Sequence, residues 1–149
     1  MVAATGACSA QTATANSTTE NSAQAGLEQG PLTIRSANGE HRFTVEVARS
    51  PQEQAMGLMF RKSLAADRGM IFPLPTPQPA AFWMKNTLIP LDMIFIRTDG
   101  TIAYIGAMTV PHSLQTVGTS EPVAAVLELR GGRSAELGIR EGDVVSWPR

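Results

Sequence analysis

One stretch of sequence constrains the fold of this 149-residue chain more than any other. Residues 81–96 read AFWMKNTLIPLDMIFI, which is almost wholly apolar yet contains Lys85, Asn86 and Asp92. A membrane-spanning helix needs roughly 20 apolar residues, and this run is shorter and is interrupted by those polar residues and by Pro90. We therefore predict two buried strands, AFWM and LDMIFI, joined by the polar connection KNTLIP.

Asp92 is the residue of this stretch that most needs an explanation. In the strand LDMIFI it shares a face with Ile94 and Ile96, and the opposite face is also apolar. A buried carboxylate without partners is very costly, so Asp92 either clamps the connection 85–90 through hydrogen bonds or contributes to a pocket. The candidate ligand-binding residues are Trp83, Lys85, Asn86 and Asp92.

The pocket hypothesis rests on the types of these residues. An aromatic wall with a few convergent polar groups is typical of a site for a small ligand. Lys85 could act as a base or as a Schiff-base amine, and Asp92 as a general base, but the sequence reveals no catalytic partner for either. Binding of an unknown small molecule or peptide is therefore favoured over catalysis, and no enzyme activity is predicted.

Composition excludes several other chemistries. The chain has one cysteine, Cys8, and two histidines, His41 and His112, so it lacks the residues for an internal disulfide or a Cys/His zinc site. The formal net charge of −1 gives no long-range attraction for nucleic acid. No glycine-rich phosphate-binding motif is present. The prediction is therefore a domain with no cofactor, no metal, no nucleic-acid partner and no transmembrane span.

Methionine supports one alternative, a Cu(I) site. Thioether sulfurs are soft ligands that suit Cu(I), and His112 could complete such a site. Methionine also fills irregular cores, and these residues stand among Leu, Ile and Phe, so packing is the favoured interpretation. The six methionines concerned are Met56, Met59, Met70, Met84, Met93 and Met108.

The N-terminal segment differs in composition from the rest of the chain. Residues 1–30 are mostly Ala, Thr, Ser, Gln and Asn, so we predict a disordered tether or the remnant of an export signal that starts upstream, followed by one globular domain over 31–149. The residues before Cys8 loosely resemble the lipid-attachment box of bacterial lipoproteins, with Thr5 where leucine is usual. Export to the periplasm or cell envelope is expected, with Cys8 as a candidate lipid anchor; cleavage after Ala10 and an unstructured N-terminus on a cytoplasmic protein are the alternatives.

Turn and cap signals divide the remaining sequence into short elements. Asn38-Gly39 predicts a hairpin, and Ser50 with Glu53 predicts a capping box on a short helix. The proline-rich residues 73–79 are expected to form a rigid connector. About eight short strands and two short helices result, which favours an α+β, mostly β fold: a compact antiparallel barrel-like sheet.

Five pieces of the chain, in order between residues 45 and 145, carry a family resemblance. They are GLMFRKSL, GMIF, FWMKNTLIPLDMIFI, VLEL and LGIREGD. Together they resemble the bacterial and archaeal family known as domain of unknown function 192. The resemblance implies a small α/β domain dominated by a barrel-like sheet, often exported, and implies almost nothing about function. Residues 112–120 depart from the family pattern, which commonly has a tyrosine there and often two cysteines.

These observations support one functional prediction and two alternatives. The chain is expected to be an exported domain that binds a small ligand or peptide in a pocket near Lys85 and Asp92. A structural or interaction module of the cell envelope is the first alternative. An enzyme of unknown reaction or a Met-rich Cu(I) binder is the second.

Overall fold

The folded part of the chain opens with the predicted hairpin. A computed structural model, which describes residues 22–149, places strands β1 (Gln29–Ser36) and β2 (Gly39–Val47) on its two sides. Ser36 pairs with Gly39, so Ala37 and Asn38 form the two-residue tip. Gly39 has a φ of 116°, which a residue without Cβ adopts readily. Cys8 and the candidate lipid-attachment box lie outside the described residues.

Helix α1 (Pro51–Met56) begins with the predicted capping box. The Ser50 hydroxyl accepts a hydrogen bond from the Glu53 amide at 3.1 Å, and the Glu53 carboxylate accepts one from the Ser50 amide at 3.1 Å. The helix ends at Met56, and its C-cap Gly57 has a φ of 49°, which departs from helical geometry. None of the residues of this helix is buried, whereas Leu58 just beyond it is.

Strand β3 (Arg68–Phe82) continues through the proline-rich segment. It pairs in parallel with β2 and antiparallel with β6 (Val117–Arg130), with register shifts between Pro73 and Gln78 and between Gln78 and Ala80. The prediction of a connector over residues 73–79 was wrong. Proline removes an amide donor but does not prevent extended backbone, so a strand can pass through prolines where the ladder is irregular.

The sheet curls until its two edges meet. The remaining elements are β4 (Leu91–Ile96), β5 (Ile102–Gly106), α2 (Arg133–Leu137) and β7 (Val144–Ser146). The strand order is β5-β4-β6-β3-β2-β1-β7, and a bridge between Thr101 and Val144 joins the outer strands. The mostly β, barrel-like fold with two short helices is confirmed. The β2–β3 pair is parallel, so the sheet is mixed rather than purely antiparallel.

The central strands are buried on both faces. Ile94 and Ile96 of β4 face a core inside the curl, while Met93 and Phe95 face a second core on the outer side of the sheet. All six residues of β4 are buried, which explains the nearly continuous apolar sequence of this strand. Among residues 22–149, no helix has the length and hydropathy that crossing a membrane requires.

Residues 22–28 pack against the domain although they precede β1. The Gln24 amide donates hydrogen bonds to the carbonyls of Glu53 at 3.0 Å and Gly57 at 2.8 Å. Leu27 packs against the outer core, and the Glu28 carbonyl accepts from the Val47 amide at 2.8 Å. Part of the segment predicted as a tether is therefore in contact with the end of α1.

Candidate functional site

A cavity of about 350 Å³ lies between the end of α1 and the segment that follows β3. It is continuous with the outer core, because Phe72 and Phe82 belong both to its wall and to that packing. The rings of these two residues meet edge to face with centroids 5.0 Å apart. The cavity is lined by residues 54–59 and 81–83 and by Phe72, Thr87, Thr116 and Glu128.

Glu128 supplies the cavity's one ionisable side chain. It lies on β6 directly opposite Met70 of β3 and Met93 of β4, both of which are fully buried. The residue is 5% exposed. Within residues 22–149 its carboxyl group has no hydrogen bond and no ion pair. Its neighbours on the two adjacent strands are therefore methionines, and its side chain lines the cavity.

This environment changes the acidity of Glu128. Burial raises the pKa of its carboxyl group to about 8, because removal from water disfavours the charged form. At neutral pH the group is mostly protonated, so it can donate a hydrogen bond as well as accept one. A carboxyl group with a strongly shifted pKa in a cavity is a candidate functional residue on physical grounds.

Trp83 lines the cavity, and Lys85 lies over its ring. Trp83 follows the end of β3, is 46% exposed and forms part of the lining. The Lys85 ammonium lies 5.2 Å from the centroid of the Trp83 ring, which is a cation–π distance. Two of the sequence-predicted residues are thus brought together, with the exposed lysine over the tryptophan that lines the cavity.

Asn86 connects the mouth of the cavity to the segment after α1. Its φ is 54°, a left-handed conformation that asparagine tolerates better than most residues. In this conformation its carbonyl accepts a hydrogen bond from the Phe60 amide at 2.8 Å, and its side-chain amide lies 4.0 Å from the Met59 sulfur. Met59 lines the cavity. Asn86 therefore holds the two walls together through its backbone.

Asp92 is fully buried and binds three backbone amides. Its Oδ1 accepts from Met108 at 2.9 Å and from Gly132 at 3.0 Å, and its Oδ2 accepts from Ser134 at 2.9 Å. The expected partners in the connection 85–90 were wrong. Gly132 is the N-cap of α2 and has no side chain to cap the helix, so Asp92 satisfies its free amides from another element.

The strand register places Asp92 and Glu128 on opposite faces of the sheet. Asp92 pairs with Leu129, whose side chain lies in the core inside the curl, whereas Glu128 pairs with Met93 of the outer core. Neighbouring residues on a strand point to opposite sides. Trp83 and Glu128 therefore line one cavity, and Asp92 faces away from it.

Glu128 was not among the residues predicted from sequence. It stands between Leu127 and Leu129 in the buried strand VAAVLEL, which is the same signal that singled out Asp92: a carboxylate within an apolar strand. That signal indicates that a carboxyl group is buried. It does not indicate whether the group is bound by backbone amides, as Asp92 is by three, or by none, as Glu128 is.

The methionines are distributed over core and surface. Met70, Met84 and Met93 are buried in the outer core, while Met108 is 55% exposed. The Met84 sulfur accepts a hydrogen bond from the Thr109 hydroxyl at 3.2 Å, which directs a donor at a lone pair that a copper ion would need. In the described part of the chain, no three His, Cys, Asp or Glu residues are grouped as metal ligands. The Cu(I) site stays a prediction.

Comparison with known families decides the relationship of the chain. The profile of the family DUF192, described as Uncharacterized ACR, matches residues 33–147. This chain belongs to the DUF192 family. The match includes Trp83, Lys85, Asn86, Asp92 and Glu128, so the cavity and the Asp92 cluster both lie within the DUF192 region. The resemblance found in the sequence is confirmed.

Two solved structures are similar to this DUF192 chain. A protein of unknown function from Novosphingobium aromaticivorans is 46% identical, with a TM-score of 0.81 over 83% of this chain and 88% of that chain. A Sinorhizobium meliloti protein, provisionally described as a transcription regulator, is 41% identical, with a TM-score of 0.79 over 83% of this chain and 96% of that chain. A search of the curated proteins found no match.

Proposed function

We propose that this DUF192 protein is a binding domain for a small molecule or a peptide end, with the cavity beneath Trp83 as its site. One observation supports the proposal most strongly: the buried carboxyl group of Glu128 faces the cavity and has no partner among residues 22–149. Among residues 22–149 the fully buried polar side-chain atoms without a partner are Arg61 Nε and Ser134 Oγ, so the Glu128 oxygens remain accessible from the cavity. A ligand in the cavity would give this carboxyl group a partner.

The other features of the cavity agree with binding. Its volume of about 350 Å³ falls in the range of small-ligand sites. Its wall is aromatic and sulfur-rich, with Phe72, Phe82, Trp83 and Met59 among the lining residues. Lys85 and Asn86 are proposed to act at the mouth, the lysine by holding the Trp83 ring and the asparagine by joining the two walls. Asp92 is proposed to be structural.

Blocking the cavity tests this function. Thr116 is exposed and lines the cavity, so Thr116→Trp should fill the mouth without disturbing the core. Gln115→Trp adds the same side chain at the neighbouring exposed position, which does not line the cavity, and serves as the matched control. Ligand-observed NMR against a metabolite and fragment library should give binders that Thr116→Trp loses and Gln115→Trp keeps. Binders that both variants retain equally would exclude the cavity as their site.

A second candidate function, an interaction module, is favoured by exposed apolar residues on the two loops that follow β3 and β5. Backbone hydrogen bonds from Met84 to Ser113 and from His112 to Thr87 join these loops. A peptide that places one side chain in the cavity would extend from Trp83, which lines it, onto the loops. The exposed large apolar residues of the two loops are Trp83, Leu88, Met108, Val110 and Leu114. Val110→Ser with Leu114→Ser should weaken a peptide but leave a small ligand unaffected, as measured by the same NMR titration.

We propose further that the protein is exported to the periplasm or cell envelope. The support is the small-residue sequence around Cys8 and the Ala-, Ser- and Thr-rich segment that follows it. Mass spectrometry of the protein from its native cells tests this: a lipid mass on Cys8, or an N-terminus just after Ala10, is expected. An intact and unmodified N-terminus in the cytosolic fraction would contradict export.

A role in transcription, the provisional description of the Sinorhizobium protein, is not proposed for this chain. Its net charge is −1, and the helices of the described domain are six and five residues long. Helices of that length do not form the recognition element that most DNA-binding motifs place in the major groove.

A further inference from the structure

The chemistry of the cavity lining restricts the charge of its ligand. Of the residues that line the cavity, Glu128 alone is ionisable, and none is basic. Facing Glu128 are Met70 from β3, Met93 from β4, residues 54–56 from α1, and Trp83 with Thr87 from the segment after β3. None of these residues titrates. An anionic ligand would therefore find no positive partner at the floor of the cavity.

A cation is the ligand that best offsets the cost of burying Glu128. A buried carboxylate is unfavourable unless an opposite charge pairs with it. A positively charged ammonium group would favour the ionised form of Glu128 and would donate hydrogen bonds to its carboxylate. The lining also contains Trp83, whose ring already has one cation, the Lys85 ammonium, 5.2 Å from its centroid.

We infer that the cavity binds an organic cation: a primary ammonium group that pairs with Glu128, attached to an apolar body that packs against Phe72, Phe82 and Met56. The inference rests on the proposed binding function and names the class of its ligand. A free amine and a lysine or N-terminal amine of a peptide share this chemistry. The exposed apolar residues on the loops that follow β3 and β5 are consistent with either source.

Three probes with the same phenethyl scaffold test the charge requirement. Phenethylamine, phenethyl alcohol and 3-phenylpropionate share a phenyl group and a two-carbon linker but carry a cation, a neutral group and an anion. Titrations at pH 7.5, followed by the Trp83 indole N–H resonance, should show phenethylamine binding at least 10-fold tighter than the other two. Glu128→Gln should remove that preference. Glu121→Gln, on the same strand but paired with Arg97 at the surface, should not.

Proton release provides a second measurement on the unmodified protein. Because burial raises the pKa of the Glu128 carboxyl group to about 8, the free protein holds a proton there at pH 7. Pairing with an ammonium group should release close to one proton. Calorimetry at pH 7 in two buffers of different ionisation enthalpy measures this number. Phenethylamine affinity should rise between pH 6 and pH 8 and level off above pH 8.

The remaining outcomes distinguish this inference from the binding function. Equal binding of the amine and the alcohol in both the native protein and Glu128→Gln would overturn the cation inference and leave the binding site intact. Tighter binding of 3-phenylpropionate with proton uptake would overturn it in favour of Glu128 as a hydrogen-bond donor. If none of the three probes binds and the library yields no binder that Thr116→Trp blocks, both proposals fail.

If the natural ligand is a peptide amine, a short peptide gives a further result. Gly-Lys-Gly-amide with an acetylated N-terminus should compete with phenethylamine for the Trp83 resonance, whereas its acetyl-lysine counterpart should not. A free amine site without peptide recognition would bind phenethylamine and neither peptide, which supports the small-molecule source. Competition by both peptides would contradict charge recognition.

Discussion

Two carboxylates on neighbouring strands of this protein have opposite environments. Asp92 accepts three backbone hydrogen bonds, whereas Glu128 has none among residues 22–149. Both stand in apolar strands, and both are at least 95% buried. The difference arises because Asp92 faces backbone amides of the loop after β5 and of the start of α2, whereas Glu128 faces the cavity on the other side of the sheet. Burial alone therefore does not assign a role to a carboxylate.

The stability of the protein should depend on pH through Glu128. Its pKa is raised from 4.5 to about 8 in the folded state, so the folded protein binds the proton more tightly than the unfolded chain. The protonated carboxyl group therefore contributes fully to the free energy of unfolding below pH 4.5. This contribution is lost as pH rises to 8, by about 1.4 kcal/mol per pH unit and up to about 5 kcal/mol in total. Urea denaturation at pH 5, 6, 7 and 8 measures it.

Glu128→Gln removes the titrating group. The free energy of unfolding of this variant should therefore exceed that of the native protein by a margin that grows from pH 5 to pH 8. Glu121→Gln is the matched control on the same strand. If the free energies of unfolding of the native protein and Glu128→Gln change in parallel from pH 5 to pH 8, the carboxyl group is not desolvated.

Helix α2 depends on a side chain that is distant in sequence. It is five residues long, its N-cap is Gly132 and no side chain of its own caps it. Isolated helices of this length are not stable in water. Asp92 accepts the Gly132 and Ser134 amides and also the Met108 amide of the loop after β5, so one carboxylate joins β4, that loop and α2.

Asp92→Asn should destabilise this junction. The asparagine amide would point hydrogen donors at backbone N–H groups that need an acceptor, with an expected loss of about 2–4 kcal/mol. Hydrogen exchange should accelerate at the amides of Met108, Gly132 and Ser134. Asp67→Asn, at an exposed position, is the control and should change stability little. Unchanged stability together with lost ligand binding would instead favour a direct role of Asp92 in the site.

At the scale of the whole molecule, the domain begins before its first strand. Gln24 binds the carbonyls at the end of α1, its own carbonyl accepts from Arg61 at 3.0 Å, and Leu27 packs on the outer core. These contacts lie next to the cavity, because Gly57 both accepts from Gln24 and lines it. Residues 22–28 thus support one wall of the candidate site.

Two N-terminal deletions should show how much residues 22–28 contribute to the stability of the domain. Removal of residues 1–28 should lower the free energy of unfolding by about 2–4 kcal/mol relative to removal of residues 1–21, because it also eliminates the Gln24 hydrogen bonds and the Leu27 packing. Thermal and urea unfolding followed by circular dichroism measures the difference. Equal stability of the two shortened proteins would place the domain boundary near residue 30, as its composition predicts.

Local signals in the sequence determined much of the fold. Alternation predicted LDMIFI as a strand with Asp92 on the face of Ile94 and Ile96, and the structure confirms both. The capping box at Ser50 was also confirmed. These features depend on backbone preferences and hydrogen bonds within a few residues. The proline-rich segment was predicted wrongly as a connector. β3 continues through it in the extended conformation that proline favours, although of residues 73–79 only Pro73 and Gln78 pair with β6.

Tertiary structure alone decided where the candidate site lies. The amides that bind Asp92 are 16, 40 and 42 residues away in sequence, and the cavity in front of Glu128 is formed by α1, the end of β3 and β6. A strand pattern shows which residues share a face, but strand order and register decide what that face meets. The apolar strand pattern therefore predicted that Asp92 is buried, and Glu128 stands in the same kind of pattern although it was not predicted. Only packing determined that Glu128 is the one facing a cavity.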